Sequence, residues 1–320
     1  MSTGCLRGDE RVSSGPARRS AAESLEALAA LTGRLGRCSN LDDALTAGLD
    51  ALAELFGFEH SMLLMLDETR TTLYTIASRG YDREGIGSEI PVGHGVIGQA
   101  AAQARAVRVN NLQRMLAYAR SAVSSTDPDA RPGTDVPLPG LPRAASQLAA
   151  PALVMGQLVG VLAVESDEHG AFTSDDEHLV TTVAHLIGNA IDLDRVEGPI
   201  TAEPPPPEPP TDRLSIVRFF TSDGSTFVNG DYLVKGVPGR ILWRLLGDFV
   251  NERRTDFTNR EVRLDPNLDL PAFRDNLESR LTLLKRRLDE REAPMRIHKT
   301  GRGRFRLHID GELRLELGDG

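Results

Sequence analysis

Residues 199–212 break the chain in two. Prolines stand at 199, at each of positions 204–207, and at 209 and 210. Proline fixes φ and has no backbone donor, so such a run enters neither a helix interior nor a central strand. It forms instead a semi-rigid polyproline spacer that advances about 3.1 Å per residue. The 320 residues are therefore expected to hold two domains, each long enough to bury its own core. The boundaries fall at 21–195 and 213–310. Residues 1–20 are expected to be a disordered lead, 196–212 the linker, and 311–320 a C-terminal tail.

The two parts differ in charge. Residues 1–212 carry 16 Lys and Arg against 29 Asp and Glu, and residues 213–320 carry 21 against 17, so the balances of −13 and +4 sum to the net −9. Within residues 270–306, 11 basic side chains stand beside 5 acidic ones. Such a concentration favours a polyanionic partner through counterion release. No stretch approaches the roughly 20 apolar residues of a membrane span. The N-terminus, with Asp9 and Glu10 and no apolar run, lacks the form of a signal peptide. A cytoplasmic protein with no membrane partner is expected. Cys5 and Cys38, the two cysteines, supply neither a disulfide framework nor a cysteine metal site.

In the first part, Leu25, Leu28, Leu31 and Leu35 are spaced for a helix that stops at Gly36. Asn40 caps a second helix, with Asp42 and Asp43 in its first turn and Gly57 at its end. Residues 61–66 and 71–78 read as one hairpin, and 147–154 and 158–165 as another turning at Met155-Gly156-Gln157. Thr173 or Ser174 then caps a long amphipathic helix bearing Leu179, Val180, Val183, Leu186, Ile187, Ala190 and Ile191. Between the hairpins runs a crossover with a short helix near 96–104. Its proline-rich stretch, residues 127–142, is either a lid over a small-molecule pocket lined by Met65, Tyr74 and Val154 or a disordered segment.

That order of elements resembles a GAF domain, a sensory α/β fold. The likeness is carried by Gly93-His94-Gly95-Val96-Ile97-Gly98, by the hairpin from Ala150-Pro151 to Glu165 with Gly156 and Gly160, and by Phe172-Thr173-Ser174-Asp175-Asp176-Glu177. The resemblance implies an antiparallel sheet with flanking helices that senses a small-molecule effector or dimerises, with the helices at 21–35 and 174–194 as the seam of a homodimer. The segment from Phe172 to Glu177 is similar to one end of the cyclic-nucleotide motif of such domains. Its asparagine-lysine half has no counterpart near Glu165 and Ser166, so a cyclic nucleotide is not expected. The pattern Gly93-x-Gly95-x-x-Gly98 also fits the dinucleotide fingerprint, which requires an acidic residue about 20 positions later. None lies between Glu89 and Asp127, so the glycines are assigned to turn geometry. His60, His94 and His185 sit on separate elements without metal-ligand spacing, and residues 60–195 hold no cysteine. Neither a metal nor a covalent chromophore is expected, the identity of any cofactor stays open, and no carboxylate pair singles itself out for catalysis. The chain is read as a non-enzyme.

Beyond the spacer, residues 215–220 and 226–234 read as strands turning at Asn229-Gly230. Helices follow over 239–251, 259–264 and 271–291, and a hairpin runs from Met295 to Leu307. On the third helix Phe273, Leu277, Leu281, Leu284 and Leu288 share one face. The opposite face carries Arg274, Asn276, Ser279, Arg280, Leu283 and Arg286. Arginine bonds guanine bidentately and asparagine adenine, which makes Arg274, Asn276 and Arg280 candidates for base readout, with Ser279 beside them on the same DNA-binding face. Arg286 and Arg287 lie nearer the helix end, where phosphates are the expected ligands, and Arg302 and Arg304 would reach a minor groove or the backbone.

The initial strands, the leucine-rich first helix, the helix ending Leu284-Lys285-Arg286-Arg287-Leu288, and the wing-like Thr300-Gly301-Arg302-Gly303-Arg304-Phe305 resemble the winged-helix effector domain of OmpR/PhoB-type response regulators. The resemblance implies a winged helix-turn-helix with an N-terminal β-sheet and DNA as partner. No phosphoacceptor domain precedes it, so control by aspartyl phosphorylation is not expected. The combined expectation is a cytoplasmic transcriptional regulator, with RNA polymerase as a candidate partner. The alternative is a signalling adaptor whose winged helix binds a protein.

Overall fold

A computed structural model describes residues 19–38, 40–67, 69–112, 136–195, 214–268, 277–301 and 304–318. The expected lead (residues 1–18 of it), the linker at 196–212, and residues 127–135 of the proline-rich stretch lie outside the described residues.

Capping chemistry starts and stops the first two helices where the sequence places them. Ser20 opens α1 (Ala21–Leu35). Its hydroxyl accepts from the Glu23 N–H at 3.2 Å, and the Glu23 carboxylate accepts from the Ser20 N–H at 2.7 Å, which satisfies two otherwise orphaned donors. Asn40 caps α2 (Leu41–Phe56) with a single bond of this kind, its side-chain oxygen accepting the Asp43 N–H at 2.9 Å. Gly57 ends α2 at φ 73°, a backbone conformation open to glycine without penalty.

Six strands follow: β1 (His60–Leu66), β2 (Thr72–Arg79), β3 (Glu89–Pro91), β4 (Val107–Val109), β5 (Ser146–Val154) and β6 (Gln157–Ser166). They form one sheet in the order β3-β2-β1-β6-β5-β4, antiparallel throughout. The β5–β6 turn places Met155 and Gly156 at φ 48° and 75°, the geometry of a two-residue hairpin that matches strand twist. Helix α3 (Gly95–Gln103) lies in the crossover and α4 (Ser174–Arg195) closes the domain. The Thr173 hydroxyl accepts from the Asp176 N–H at 3.3 Å and the Asp176 carboxylate from the Thr173 N–H at 2.8 Å. The acidic segment that opens α4 is thus engaged as a cap.

Both faces of this sheet are covered. Helices α1, α2 and α4 close one core over Leu63, Met65, Ile76, Leu148, Leu162 and Val164. On the other face α3 and the crossover close a second core over Met62, Leu64, Leu73, Ala149, Val161 and Ala163.

The second domain contains β7 (Leu214–Phe219), β8 (Thr226–Val228), β9 (Asp231–Val234), α5 (Gly236–Glu252), β10 (Asp256–Thr258), α6 (Asn259–Arg263), α7 (Leu277–Glu290), β11 (Met295–Gly301), β12 (Arg304–Ile309) and β13 (Glu312–Leu317). Residues 271–276, the expected start of the third helix, lie outside the described residues. One sheet runs β13-β7-β8-β9 and a second β10-β12-β11. Leu277, Leu281, Leu284 and Leu288 of α7 enter a core shared with α5 and the second sheet. There Phe305 stacks on Phe257 with ring centroids 5.8 Å apart.

The expected C-terminal tail is a strand. β13 pairs in parallel with β7, from Glu312 opposite Leu214 to Leu317 opposite Phe219, and Leu313 and Leu315 pack on the core. The cause is the alternation Leu313, Leu315, Leu317, which gives the segment one apolar side. Its docking also covers the backbone edge that β7 would otherwise leave bare.

Candidate functional site

The basic elements of the second domain come together as two neighbouring features. Along the hairpin, Met295, Ile297, Phe305 and Leu307 are buried, while Arg296, Arg304 and Arg306 alternate with them on the exposed side. β10 holds the hairpin from its other edge, with Thr258 opposite Arg304 and Asp256 opposite Arg306. Arg306 also donates to the Asp256 carboxylate at 2.9 Å. Arg302 lies outside the described residues.

The second feature, α7, departs from the expected open face. Arg274 and Asn276 lie outside the described residues. Ser279, Arg280 and Arg287 are each 1% exposed, which corrects the expectation that they stand free for bases or phosphates. The physical reason is a second neighbour. Besides its own core, α7 lies against α2, β2 and α4 of the first domain. Arg287 shows what burial does to such a side chain. Its Nε donates to the Leu233 carbonyl at 2.8 Å, and its Nη1 pairs with Glu290 at 2.5 Å. A Cβ placed on Gly87 would stand 3.4 Å from the Arg287 Cδ, so the loop between β2 and β3 covers its stem. Burial pushes this guanidinium below its ordinary value, against the pull of Glu290.

Arg286, the expected phosphate ligand, already holds a carboxylate. Its Nε donates to Asp42 Oδ1 at 2.7 Å, and its Nη2 to the Asp42 carbonyl and the Thr46 hydroxyl at 3.3 Å each. Lys285 Nζ donates to the other Asp42 oxygen at 2.6 Å. Burial alone would raise the Asp42 carboxyl, but Arg286 and Lys285 outweigh it and hold the group below the usual carboxylate range. A second interdomain pair joins Lys235 to Glu89 at 2.8 Å. Beside the Asp42–Arg286 contact the domains leave a cleft of about 870 Å³, with Asp42, Asp82, Glu84 and Pro137 on one wall and Arg286 and Glu290 on the other.

In the first domain, the expected pocket residues face the wrong way for the crossover. Met65 and Val154 are buried in the core beneath α1, α2 and α4, and Tyr74 packs against it. A pocket bounded by the crossover would instead be floored by the opposite side of the strands, where Leu141 packs. At its edge stands a buried carboxylate that sequence reasoning did not single out. Glu165 accepts from the Leu141 N–H at 3.0 Å and from the Gln147 amide at 2.7 Å, with Tyr81 close by. Burial pushes the Glu165 carboxyl up, more than its donors pull it down. Burial and the adjacent Glu165 likewise push the Tyr81 phenol up. Among the described residues, no group of three or more His, Cys, Asp and Glu side chains could hold a metal ion, and no helix is long and apolar enough to cross a membrane.

The six-stranded order, the helices on one face and the crossover on the other agree with a family comparison: the model described as GAF domain matches residues 38–192. Residues 38–192 are a GAF domain. Such a domain is a sensory and signalling unit. Similar solved structures include the GAF domain of a phosphoenolpyruvate-protein phosphotransferase from Acinetobacter, at 18% identity and TM-score 0.45, covering 56% of this chain and 97% of that one. A free methionine-R-sulfoxide reductase from Neisseria meningitidis, solved with its substrate, is 21% identical with TM-score 0.44, over 57% of this chain and 96% of that one. The GAF domain of a phosphotransferase from Coxiella burnetii is 19% identical with TM-score 0.45, over 56% and 98%. No curated protein matches the chain.

Proposed function

We propose that the chain is a transcriptional regulator in which the GAF domain governs DNA binding by a winged helix in the second domain. The observation that carries this reading is the hairpin β11–β12, buried along one side and lined with Arg296, Arg304 and Arg306 along the other. It is held by β10 and follows α5, α6 and α7. That order of helix, strand, helix, helix and hairpin supports the winged-helix reading, and arginines alternating along an exposed ribbon suit the spaced phosphates of a duplex. The local excess of basic residues supplies the matching electrostatic attraction. An effector would sit on the crossover side of the GAF sheet, where Leu141 and Glu165 join residues 136–142 to the strands. Homodimerisation through α1 is supported by Leu25, which is 69% exposed on that helix.

Titration of a fluorescent mixed-sequence duplex tests the reading. The chain should bind with an affinity that falls between about 50 and 200 mM salt. Alanine at both Arg304 and Arg306 should lower the log-log salt slope by about 2, one for each phosphate contact. Retention indifferent to salt and to these substitutions overturns the reading.

One observation favours a protein partner instead: Lys285 and Arg286 take a carboxylate, that of Asp42, as their ligand. Charge reversal by Arg304→Glu separates the two. Loss of duplex binding supports DNA, whereas unchanged duplex binding with loss of a co-purifying acidic protein supports the adaptor.

A further inference from the structure

We infer that the GAF domain is a built-in competitor for DNA: it occupies the basic end of α7 with Asp42, and the second domain engages a duplex only after the two domains part. This inference rests on the DNA-binding reading of the second domain and assigns the regulation of that same surface.

Three observations support it. Asp42 offers one carboxylate oxygen to each of two cations, Oδ1 to Arg286 at 2.7 Å and Oδ2 to Lys285 at 2.6 Å. The arginine fork is completed by the Asp42 carbonyl and the Thr46 hydroxyl. A phosphate presents acceptor oxygens to arginine and lysine in a similar way, so this carboxylate holds the place of a phosphate, and the two ligands exclude each other at those side chains.

The second observation is steric. α7 lies against α2, β2 and α4, and the loop carrying Gly87 covers the stem of Arg287. A helix with its side chains is about 10–12 Å across and the major groove about 12 Å wide. A helix already flanked by another domain along that side leaves no room for the walls of a groove.

The third is the nature of the clasp. Lys285 with Asp42, and Lys235 with Glu89, are partly exposed, Arg286 with Asp42 is less so, and Asp42 and Arg286 line an open cleft between the domains. Exposed ion pairs are individually weak and are screened by salt, so a polyanion or a signal within the GAF domain can displace them without unfolding either core. The charge difference along the chain has a second meaning in this light. An acidic domain of −13 shields a basic one of +4, and parting them exposes the positive surface.

The test uses the full chain, unaltered and with Asp42→Asn plus Glu89→Gln. Two quantities are read for each form: amide hydrogen exchange in α2 and in the loop at 81–88, which reports parting of the domains, and anisotropy of a fluorescent mixed-sequence duplex. The variant should exchange faster in both segments and bind the duplex about tenfold more tightly, as expected if the unaltered chain is open about one tenth of the time. Faster exchange with duplex affinity equal to that of the unaltered chain overturns the inference and leaves the DNA-binding reading standing. Failure of the opened variant to bind any duplex overturns the DNA-binding reading, and the inference falls with it. Unchanged exchange overturns the role of these ion pairs as a clasp. Glu89→Gln alone, which leaves α2 intact, keeps the test decisive if Asp42→Asn perturbs that helix, with an intermediate gain in affinity expected.

Discussion

Toward its own sheet α7 presents Leu277, Leu281, Leu284 and Leu288 to apolar neighbours, whereas toward the GAF domain it presents Lys285, Arg286 and Arg287. Both sides are covered, but by unlike chemistry. Burying leucines contributes about 1.5–3 kcal/mol each and is indifferent to moderate salt. Partly exposed ion pairs contribute about 0–1 kcal/mol each and are screened beyond about 8 Å at physiological ionic strength. The inner side therefore holds the second domain together, and the outer side sets how the two domains sit against each other. A contact made of charges can be undone while the cores stay folded, which is what a regulated arrangement requires.

The largest expected effect comes from breaking the inner side. Leu284 is fully buried, and Leu284→Ala should cost about 2–5 kcal/mol, the usual range for a cavity in a packed core. Urea denaturation followed by far-UV circular dichroism measures it, and a loss below about 1 kcal/mol would show that α7 is not anchored there. Arg287 bridges the two sides, so the next effect is intermediate. Arg287→Met keeps an aliphatic stem under Gly87 but leaves the Leu233 carbonyl and Glu290 without their donor. A loss of about 1–3 kcal/mol is expected in the same experiment. If Arg287→Met is neutral, the buried guanidinium is a guest of the core rather than a support.

Much of this was legible in the sequence, and what was not has identifiable causes. Asn40 and Thr173 gave their helices away through side chains that satisfy orphaned N–H groups, whereas Ser20, assigned to the disordered lead, caps α1 in the structure. The leucine stripe of α7 likewise followed from 3.6-residue periodicity. Which face of the GAF sheet holds Met65 and Val154 could not be read. All but the first residue of β1 is buried, because both faces are covered, and alternation of apolar and polar residues disappears in such a strand. The fate of Arg286 was hidden for another reason: its partner Asp42 is 244 positions away, and an arginine on a helix looks solvated until its neighbour is known. β13 is different, since the alternation of Leu313, Leu315 and Leu317 was there to be read.

Two carboxylates, Glu165 and Asp42, sit in environments that act on them in opposite directions. Burial raises the Glu165 carboxyl. An unfolded chain releases this proton near the ordinary value of 4.5, while the folded chain retains it to higher pH. Between the two values the folded state binds more protons, so stability falls as pH rises through that window and stays lower above it. The slope contributed by one such group is at most about 1.4 kcal/mol per pH unit. Glu165→Gln should remove it, as read from urea midpoints between about pH 4.5 and 7. A slope identical to that of the unaltered chain would mean that Glu165 is not the group responsible.

The smallest effect on stability is expected at Asp42, and there the sign reverses. Its carboxyl is held below the ordinary 3.8 by Arg286 and Lys285 despite partial burial, so the docked arrangement binds fewer protons than the parted one. Docking is then fully supported above the ordinary value and weakens as pH falls through the lowered one. Asp42→Asn should change the unfolding free energy by no more than about 1 kcal/mol, the range for pairs of this exposure. Yet it should remove the acid sensitivity of the domain arrangement and much of its salt sensitivity. Small-angle scattering across pH and ionic strength measures this directly. The unaltered chain should expand on acidification and at high salt, and the variant should be expanded from the start. Superimposable profiles would place the hold on α7 with its leucines alone and erase the distinction between its two sides.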